Sequence, residues 1–285
     1  MKISLITACY NSVGTIRTAI ESVLSQKGVE IEYIVIDGGS ADGTVGIVKE
    51  YATRQSSQTV RQSVNTSICQ SPISIKWISE HDRGMYDAIN KGIKMATGDV
   101  VGILNADDVL ATDDTLAHIA ATFEALEVGS QKSEIDCVYA DIRFVREGES
   151  VAALRNAPTV RYCSAKRWRP WMFRFAAMVP HPSFYVRRKC FERLGGYSLD
   201  YRICADFELE LRYLYLAKIK AVYLPECVVV MRMGGASTAG WRSNVEINRE
   251  DLRALRAHGI WSCLSLVYLK YLFKIWGFVF RRGKR

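Results

Sequence analysis

Two adjacent carboxylates, Asp107 and Asp108, follow a short apolar run and are well placed in this sequence to do chemistry. The run, residues 100–104, is too short to indicate a helix and is typical of a buried strand of a parallel sheet. The C-terminal ends of such strands form the edge where open α/β sheets bind ligands. Because adjacent carboxylates repel each other, a cation or a tight hydrogen-bonding shell is expected to hold them together. The alternative is that one acid caps the turn or helix that follows.

Further acids stand at the predicted ends of strands, in the loops that follow them, or at the start of a helix. They are Asp37, Asp82, Asp141 and Asp206. A single aspartate in such a place is usually a turn former, so Asp37 could simply cap the glycine-rich turn at residues 38–43. Asp206 likewise suits the N-cap of a helix over residues 207–216. Several acids that converge on one edge of a parallel sheet favour a functional site instead.

The elements that must position these acids alternate along the first half of the chain. Apolar runs predict strands at residues 3–10, 31–36, 73–78 and 100–104. Apolar residues at helical spacing predict helices at 16–24, 45–52 and 85–96. This order predicts an α/β fold with a mostly parallel, doubly wound sheet and helices on both faces. Residues 54–72, rich in Ser, Gln and Thr, are predicted to be a surface insertion.

The second half is less regular. Thr112 is predicted to cap a helix. The other predicted elements are a strand at 137–140 ending at Asp141, a hairpin near Glu147 and Gly148, a basic and aromatic stretch at 161–180, short strands at 183–186, 221–224 and 228–233, and helices at 188–194, 207–216 and 243–258.

Composition bounds the class of protein. The 285 residues are 49% hydrophobic and 24% charged, as in an ordinary folded protein. The net charge is +8, and the basic residues crowd into 161–174, 187–193 and the last five positions, which suits anionic partners. Nucleic acid is the least supported partner, because no zinc finger, helix-turn-helix signature or basic heptad region is found. Eight cysteines without a C-x-x-C pair and the lack of a signal-peptide layout predict a cytoplasmic location. Nothing in the sequence indicates an oligomeric state.

The C-terminal tail, residues 260–280, is almost wholly apolar apart from Lys270 and Lys274, and four basic residues lie within 281–285. Two lysines at mid-depth would cost roughly 5–7 kcal/mol on the insertion scale, which argues against a membrane span. We expect an amphipathic helix that lies in the membrane interface and is anchored on anionic lipid. The alternative is a helix packed against the rest of the protein.

Several ordered motifs resemble those of the inverting glycosyltransferases of family 2. They are I-T-A-C-Y-N-S at 6–12, D-G-G-S-x-D-G-T at 37–44, E-x-D-x-G at 80–84, L-N-A-D-D at 104–108, H-P-S at 181–183, G-G-Y at 195–197 and A-D at 205–206. The resemblance covers about residues 1–240 and implies the GT-A fold. It divides the chain into a nucleotide-sugar donor half (1–110), an acceptor half (111–240) and a C-terminal helical segment (241–285). Within the family, residues 80–98 look most like bacterial enzymes that build exopolysaccharide and O-antigen repeat units.

The resemblance implies a donor site for a nucleotide-diphospho-sugar. Asp107 would hold a divalent cation, Mn²⁺ or Mg²⁺, which neutralises the charge that grows on the diphosphate leaving group. Asn105, an implied nucleotide-sugar contact, stands where the family often has an acid. Its amide can still hydrogen-bond a ribose hydroxyl or a water ligand, but it brings less charge, so we expect weaker metal affinity. The other implied contacts are Asp108 in support of the metal, Asp37 at the nucleobase, Thr7, Tyr10 and Asn11 in the base and ribose pocket, Asp82 beside the nucleoside, and His181 at the metal, the diphosphate or the acceptor. A structural role for His181 is the alternative.

Asp206 matches the catalytic acid of the family and would take the proton from the acceptor hydroxyl as that oxygen attacks the anomeric carbon. Processive members carry a Q-x-x-R-W motif and several membrane spans, neither of which is found, so one sugar per encounter is expected. Family and tail together imply a glycan or polyprenyl-diphosphate-linked acceptor at the inner face of the cytoplasmic membrane. Two alternatives stay open: a sugar nucleotidyltransferase, although residues 10–14 do not look like its glycine-rich loop, and a non-catalytic membrane-associated scaffold.

Overall fold

Four parallel strands open the fold. The computed structural model describes residues 1–62, 72–125, 134–234 and 241–271. Its first elements are β1 (Lys2–Cys9), α1 (Ile16–Leu24), β2 (Glu30–Asp37), α2 (Thr44–Gln62), β3 (Ile73–Ser79), α3 (Met85–Met95) and β4 (Val100–Ile103). The strands lie in the order β3-β2-β1-β4, and Cys9 pairs with Asp37, which pairs with Ser79. The ends of these strands therefore meet at one edge, as predicted.

The second half continues the same sheet with mixed strand directions. It contains β5 (Val109–Leu110), α4 (Thr115–Ala125), β6 (Cys137–Val145), α5 (Val151–Asn156), β7 (Arg161–Cys163), 3-10 helices Pro170–Phe175 and His181–Ser183, β8 (Tyr185–Arg187), α6 (Arg188–Leu194), α7 (Ala205–Glu210), a π-helix (Leu211–Leu216), β9 (Ala221–Arg232), α8 (Trp241–Ala257) and α9 (Leu264–Tyr268). β8 runs antiparallel to both β4 and β6. β6 therefore runs parallel to β4, and its C-terminal end points to the same edge.

Helices cover both faces of the sheet, as predicted. Neighbouring residues of β1 point to opposite faces: Ile6 is buried with α3, α7 and α8, and Leu5 is buried with α1, α2 and α4. Gly102 permits close packing across β4, because a Cβ there would lie 2.2 Å from the Tyr185 ring.

Several local predictions are wrong. β6 continues through Asp141 to Val145, so Asp141 lies inside a strand. Its partner β9 is one strand rather than two, because an irregularity in the β6–β9 register accommodates the Pro225 break. The hairpin predicted near Glu147 and Gly148 is replaced by α5, which connects the antiparallel strands β6 and β7. The helix predicted to begin at Thr112 begins at Thr115.

The predicted insertion at 54–72 is also partly wrong. Helix α2 continues to Gln62, although its second half lacks an apolar stripe. An Arg54–Glu50 ion pair at 2.7 Å and a hydrogen bond from Gln55 to the Ile73 carbonyl at 3.0 Å support it. Residues 63–71 of that prediction lie outside the described residues. The sequence G-G-A-S-T-A-G at 234–240 also predicts a glycine-rich turn, and its residues 235–240 lie outside the described residues as well.

The tail packs on the domain as far as it is described. Leu255 of α8 and Val267 of α9 are fully buried in the same core as α3 and α7. Lys270 pairs with Asp251 at 2.6 Å, and both side chains are nearly excluded from solvent. This contradicts the expectation that Lys270 faces lipid; residues 272–285 lie outside the described part. In the described ranges, no helix is both long and apolar enough to cross a membrane. The divisions at residues 110 and 240 remain predictions.

Candidate active site

Asp37 organises the turn that follows β2. Its Oδ2 accepts hydrogen bonds from the backbone amides of Gly39 (3.0 Å) and Ser40 (2.9 Å) and from the Ser79 hydroxyl (2.7 Å), and its Oδ1 accepts from the Ser40 hydroxyl (2.5 Å). Burial alone would raise the pKa of Asp37, but these hydrogen bonds outweigh it and the pKa is lowered. The turn-capping role is therefore present, and contact of Asp37 with a nucleobase remains a prediction.

Gly38, Asp82 and Tyr10 lie close together beside this turn, and we call these three residues the polar cluster. A Cβ on Gly38 would lie 3.4 Å from both Asp82 Oδ2 and a Tyr10 ring carbon. Asp82 Oδ1 forms an ion pair with Lys91 of α3, whereas Asp82 Oδ2 is buried without a hydrogen-bond partner among the described residues. An unpartnered buried carboxylate oxygen is costly unless a ligand or water supplies a donor. Tyr10, 65% exposed, presents an open ring at the same place.

Asn11 lies next to Tyr10 of the polar cluster. Its φ of 48° is in the left-handed region, which asparagine tolerates better than most residues. Its side-chain oxygen accepts from the Ala41 amide at 3.1 Å, and its own amide donates to the Ser40 hydroxyl at 2.7 Å. Asn11 therefore ties the loop after β1 to the loop after β2.

The Thr7 side chain lies inside the sheet and not in the base and ribose pocket where it was predicted. Its side chain is fully buried, its hydroxyl donates to the Leu104 carbonyl at 2.8 Å, and it accepts from Tyr33 at 3.0 Å. Because both capacities are used inside the sheet, the Thr7 side chain does not line an open pocket. It fixes the end of β1 against the residue that follows β4.

The two acids after β4 have different surroundings. Asp108 is fully buried and accepts from the Asn105 side-chain amide (2.8 Å) and the Arg232 backbone amide (3.3 Å). Burial, together with the neighbouring Asp107 charge, raises the pKa of Asp108 well above its ordinary value. The Asn105 side chain thus donates a hydrogen bond to the Asp108 carboxylate. An amide suits this position because a carboxylate could not donate this bond. The guanidinium of Arg232, the last residue of β9, donates to the Asp107 carbonyl at 2.5 Å. This hydrogen bond fixes the loop that follows β4 to the end of β9.

A cation-binding role for Asp107 remains a prediction. Its side chain is partly exposed and accepts no hydrogen bond from the described residues. Across the described ranges, no group of three or more His, Cys, Asp or Glu side chains is arranged to hold a metal. A Mg²⁺-type ion commonly takes only one or two protein carboxylates and completes its shell with substrate phosphates and water, and Asp107 fits that donor set.

Asp206 lies in the first turn of α7, one residue after its start at Ala205. Its Oδ1 lies 2.9 Å from the Phe207 amide and 3.1 Å from the Tyr86 hydroxyl. The same hydroxyl lies 2.6 Å from the Ile203 carbonyl oxygen. Burial, followed by the Asp206 charge, raises the pKa of Tyr86 well above its ordinary value, so Tyr86 stays a neutral donor. The prediction that Asp206 is the N-cap of a helix over residues 207–216 is wrong, because the helix begins at Ala205 and its N-cap is Cys204. The Asp206 carboxylate is instead held by the Phe207 amide and the Tyr86 hydroxyl.

His181 lies next to this helix and not in a preformed metal cluster. Its Nε2 is 3.2 Å from the Tyr197 hydroxyl, and its Nδ1 is 3.7 Å from Oε1 of Glu210, which is fully buried. Burial raises the pKa of Glu210 to about 8. Tyr197 in turn stacks on Tyr86, with ring centroids 5.5 Å apart. The metal role of His181 remains a prediction, and these contacts are those of a side chain that supports the Asp206 region.

Helix α3 joins the two parts of the site. Its Lys91 pairs with Asp82, its Tyr86 bonds Asp206, and its Asn90 donates to the Tyr197 carbonyl at 2.8 Å. The same Asn90 explains the glycine pair before Tyr197, because a Cβ on Gly196 would lie 2.3 Å from the Asn90 side-chain oxygen. One helix therefore holds both Asp82 of the polar cluster and Asp206.

Sequence reasoning missed several of these supporting residues. They are Tyr86, Asn90, Arg232, Glu210 and Glu250, the last of which accepts from the backbone amides of residues 202–204. None stands in a short motif of its own. The only available signals were polar residues on otherwise apolar faces, such as Glu210 amid the predicted helix 207–216.

The fold is the GT-A fold of nucleotide-diphospho-sugar transferases. It is shared with the structure of Staphylococcus aureus TarS 1–349 in complex with UDP-GlcNAc (TM-score 0.59, 17% identity, 90% of this chain and 66% of that chain). It is also shared with the mannosyltransferase PcManGT of Pyrobaculum calidifontis in complex with GDP-Man and Mn²⁺ (TM-score 0.59, 19% identity, 96% of this chain and 71% of that chain). The chain thus spans less than two thirds of the TarS structure.

The chain belongs to glycosyl transferase family 2, whose family model matches residues 4–195. It is 25% identical over 252 residues to a PGL/p-HBAD biosynthesis glycosyltransferase of Mycobacterium bovis, covering 88% of this chain and 83% of that protein. It is 29% identical over 211 residues to an uncharacterized glycosyltransferase of Mycobacterium tuberculosis, covering 74% and 68%. The protein is therefore a glycosyltransferase, as the motifs predict.

Proposed function

We propose that this glycosyltransferase moves one sugar from a nucleotide-diphospho-sugar to an acceptor hydroxyl with inversion at the anomeric carbon, and that Asp206 is the general base. The observation that carries the proposal is the link through α3: the same helix holds Asp82 of the polar cluster through Lys91 and holds Asp206 through Tyr86. A carboxylate held at a fixed position relative to the donor-binding residues is what a single displacement requires.

On the donor side, the exposed Tyr10 ring offers a face for a base, and the unpartnered Asp82 Oδ2 offers an acceptor for an N–H or O–H group. The TarS and PcManGT structures hold UDP-GlcNAc and GDP-Man respectively, which supports a nucleotide-sugar donor of unspecified base. A thermal-shift panel of UDP-, GDP- and dTDP-sugars identifies the base, because ligand binding raises the melting temperature.

Asp107 would hold a divalent cation, Mn²⁺ or Mg²⁺, together with the donor diphosphate. A bound cation would stabilise the negative charge that the leaving diphosphate gains. The neighbour with Mn²⁺ and the family membership support this choice. Asp107→Asn should weaken nucleotide binding in the presence of Mn²⁺ and leave the weak binding in EDTA unchanged. Asp114→Asn, an exposed aspartate outside the site, is the control; equal titration curves for wild type and Asp107→Asn would remove Asp107 from this role.

In the reaction, Asp206 accepts the proton of the acceptor hydroxyl while that oxygen attacks the anomeric carbon from the face opposite the diphosphate. The C–O bond to the new oxygen forms, the bond to the diphosphate oxygen breaks, and the diphosphate leaves with the electron pair. Tyr86 keeps the carboxylate oriented, because its neutral hydroxyl donates to Oδ1.

The test of the base is Asp206→Asn against Asp200→Asn, an exposed aspartate in the preceding loop. We expect Asp206→Asn to lower kcat by about 10²–10⁴-fold, the usual contribution of general base catalysis, with little change in donor affinity. Asp200→Asn should behave as wild type. Transfer by Asp206→Asn at an unchanged rate contradicts the assignment, and a wild-type protein that binds donors but never transfers would favour the scaffold alternative.

We further propose a glycan or polyprenyl-diphosphate-linked saccharide as acceptor, in the synthesis of bacterial surface polysaccharide at the inner face of the cytoplasmic membrane. The basic composition of residues 161–174 supports an acceptor that carries phosphate. Comparing transfer to a polyprenyl-diphosphate saccharide with transfer to the same saccharide lacking lipid and diphosphate tests this choice. Equal kcat/KM for both acceptors would contradict the lipid-linked acceptor and leave the glycan.

A further inference from the structure

Two segments of this chain carry no acidic residue and meet in the fold. Residues 161–180 contain five Arg or Lys residues and no Asp or Glu, and residues 257–271 also contain no Asp or Glu. The 3-10 helix Pro170–Phe175 lies in contact with α9. The Ser262 hydroxyl donates to the Arg174 carbonyl at 2.8 Å, which fixes the two segments side by side.

Their outer side is aromatic and basic at once. Trp261 is 77% exposed and Trp171 is 54% exposed, and Leu264 and Tyr268 of α9 are each 43% exposed. Arg174, on the same 3-10 helix as Trp171, and Lys166, four residues before that helix, are also exposed. We call these six residues the aromatic-basic face. Large exposed apolar side chains clustered on adjacent elements indicate a binding surface.

The inner side of the same elements packs towards the candidate base. Phe173 is fully buried and its ring lies 5.6 Å from that of Phe207, the residue after Asp206. Val267 of α9 is also fully buried. The 3-10 helix that carries Trp171 and Arg174 therefore packs against α7 through Phe173.

We propose that the aromatic-basic face docks on an anionic lipid surface. Trp and Tyr favour the interfacial region of a bilayer, and Lys and Arg favour anionic headgroups. The complete lack of acids in both segments gives the face the charge that complements such a surface. Lys270 does not contribute, because it is buried against Asp251. The inference goes beyond the proposed reaction, since it assigns the surface that holds the enzyme next to a lipid-linked substrate.

The test is co-sedimentation of the full-length protein with phosphatidylcholine vesicles, with and without phosphatidylglycerol. Wild type should bind only the anionic vesicles, and added salt should release it. Lys166→Glu/Arg174→Glu should weaken binding at least about tenfold. Each basic residue near an anionic surface raises the affinity about fivefold, and the variant removes two of them. Lys49→Glu/Lys94→Glu, which makes the same change of charge at exposed positions on α2 and α3, should bind better than that variant.

A second pair, Trp171→Ser/Trp261→Ser, tests the apolar contribution without any change of charge. We expect it to bind anionic vesicles more weakly than wild type at an unchanged melting temperature. Wild-type binding by both face variants would overturn the proposal. So would loss of binding only when Arg281, Arg282, Lys284 and Arg285 are replaced by Ser, which would make the tail the anchor. A change of oligomeric state in the face variants with unchanged vesicle binding would assign the face to a second copy of the chain. None of these readouts depends on catalysis.

Discussion

The Tyr86 hydroxyl lies 3.1 Å from Asp206 Oδ1 and 2.6 Å from the Ile203 carbonyl oxygen, so one phenol proton is shared between the candidate base and the backbone of the preceding loop. Tyr86 belongs to α3, and Lys91 of the same helix pairs with Asp82 of the polar cluster. A displacement of α3 would therefore alter both the donor side and the base. This coupling yields the first prediction.

Tyr86→Phe should lower kcat about tenfold and leave the KM for the donor nearly unchanged, because the Asp206 carboxylate loses an orienting donor worth about 1 kcal/mol or more. Steady-state kinetics with both substrates measure the split. The control is Tyr162→Phe, which removes a similar Tyr–Asp hydrogen bond, 2.9 Å long, at Asp141. If both variants lower kcat equally, the effect is one of general stability, and the positioning role of Tyr86 is refuted.

Glu250 of α8 should position the same loop from the other side. Its carboxylate accepts from the backbone amides of Arg202 (3.2 Å), Ile203 (2.9 Å) and Cys204 (3.1 Å). Glu250→Ala leaves these amides without their acceptor, so we expect a loss of about 1–3 kcal/mol in stability and a lower kcat. Glu250→Gln, which keeps one acceptor oxygen, should recover part of both. Glu246→Ala, an exposed residue one turn earlier, is the control, and a kcat for Glu250→Ala equal to that of Glu246→Ala would contradict the role.

Glu32 should give the protein an acid-labile part of its stability. Burial would raise the pKa of Glu32, but hydrogen bonds from Lys76, Ser4 and Thr97 lower it to about 2 from an ordinary value of 4.5. Since the folded pKa is depressed, this stabilisation is fully present above about pH 4.5 and is lost as the pH falls towards 2.

Glu32→Gln should therefore be less stable than wild type by on the order of 2 kcal/mol at pH 7, and the difference should shrink below pH 4.5. Urea unfolding at a series of pH values measures this. Glu30→Gln, on the same strand but exposed, should change little. A difference between wild type and Glu32→Gln that is constant with pH would show that the carboxylate charge is not the cause.

The Lys270–Asp251 pair should stabilise the fold in the absence of any membrane. Lys270→Met leaves Asp251 buried without its partner, so we expect a loss of about 3–5 kcal/mol in unfolding free energy. The double variant Lys270→Met/Asp251→Leu should recover much of it, because no unpaired charge remains. Denaturant titration without lipid gives the measurement. Wild-type stability of Lys270→Met would mean that Lys270 contributes nothing to the packed tail.

Local chemistry determined much of this protein in advance. The apolar runs of β1 to β4, the helical spacing of α1 and α3 and the turn after Asp37 follow from neighbouring residues alone. They predicted the parallel half of the sheet and the edge where acids gather, and the ordered motifs predicted the family that the comparisons show. These features could be read because their determinants lie within a few residues of each other.

Tertiary structure decided what depends on residues far apart in the chain. The antiparallel insertion of β8, the continuity of β9 past Pro225 and the burial of Thr7 have no local signal, because pairing partners and burial are set by the assembled sheet. The same holds for Tyr86 against Asp206, 120 residues apart, and for Lys270 against Asp251. The sequence by itself indicated the candidate acids, but only the packing of helices on the sheet determined which of them are buried or hydrogen-bonded and which, such as Asp107, stay partly exposed.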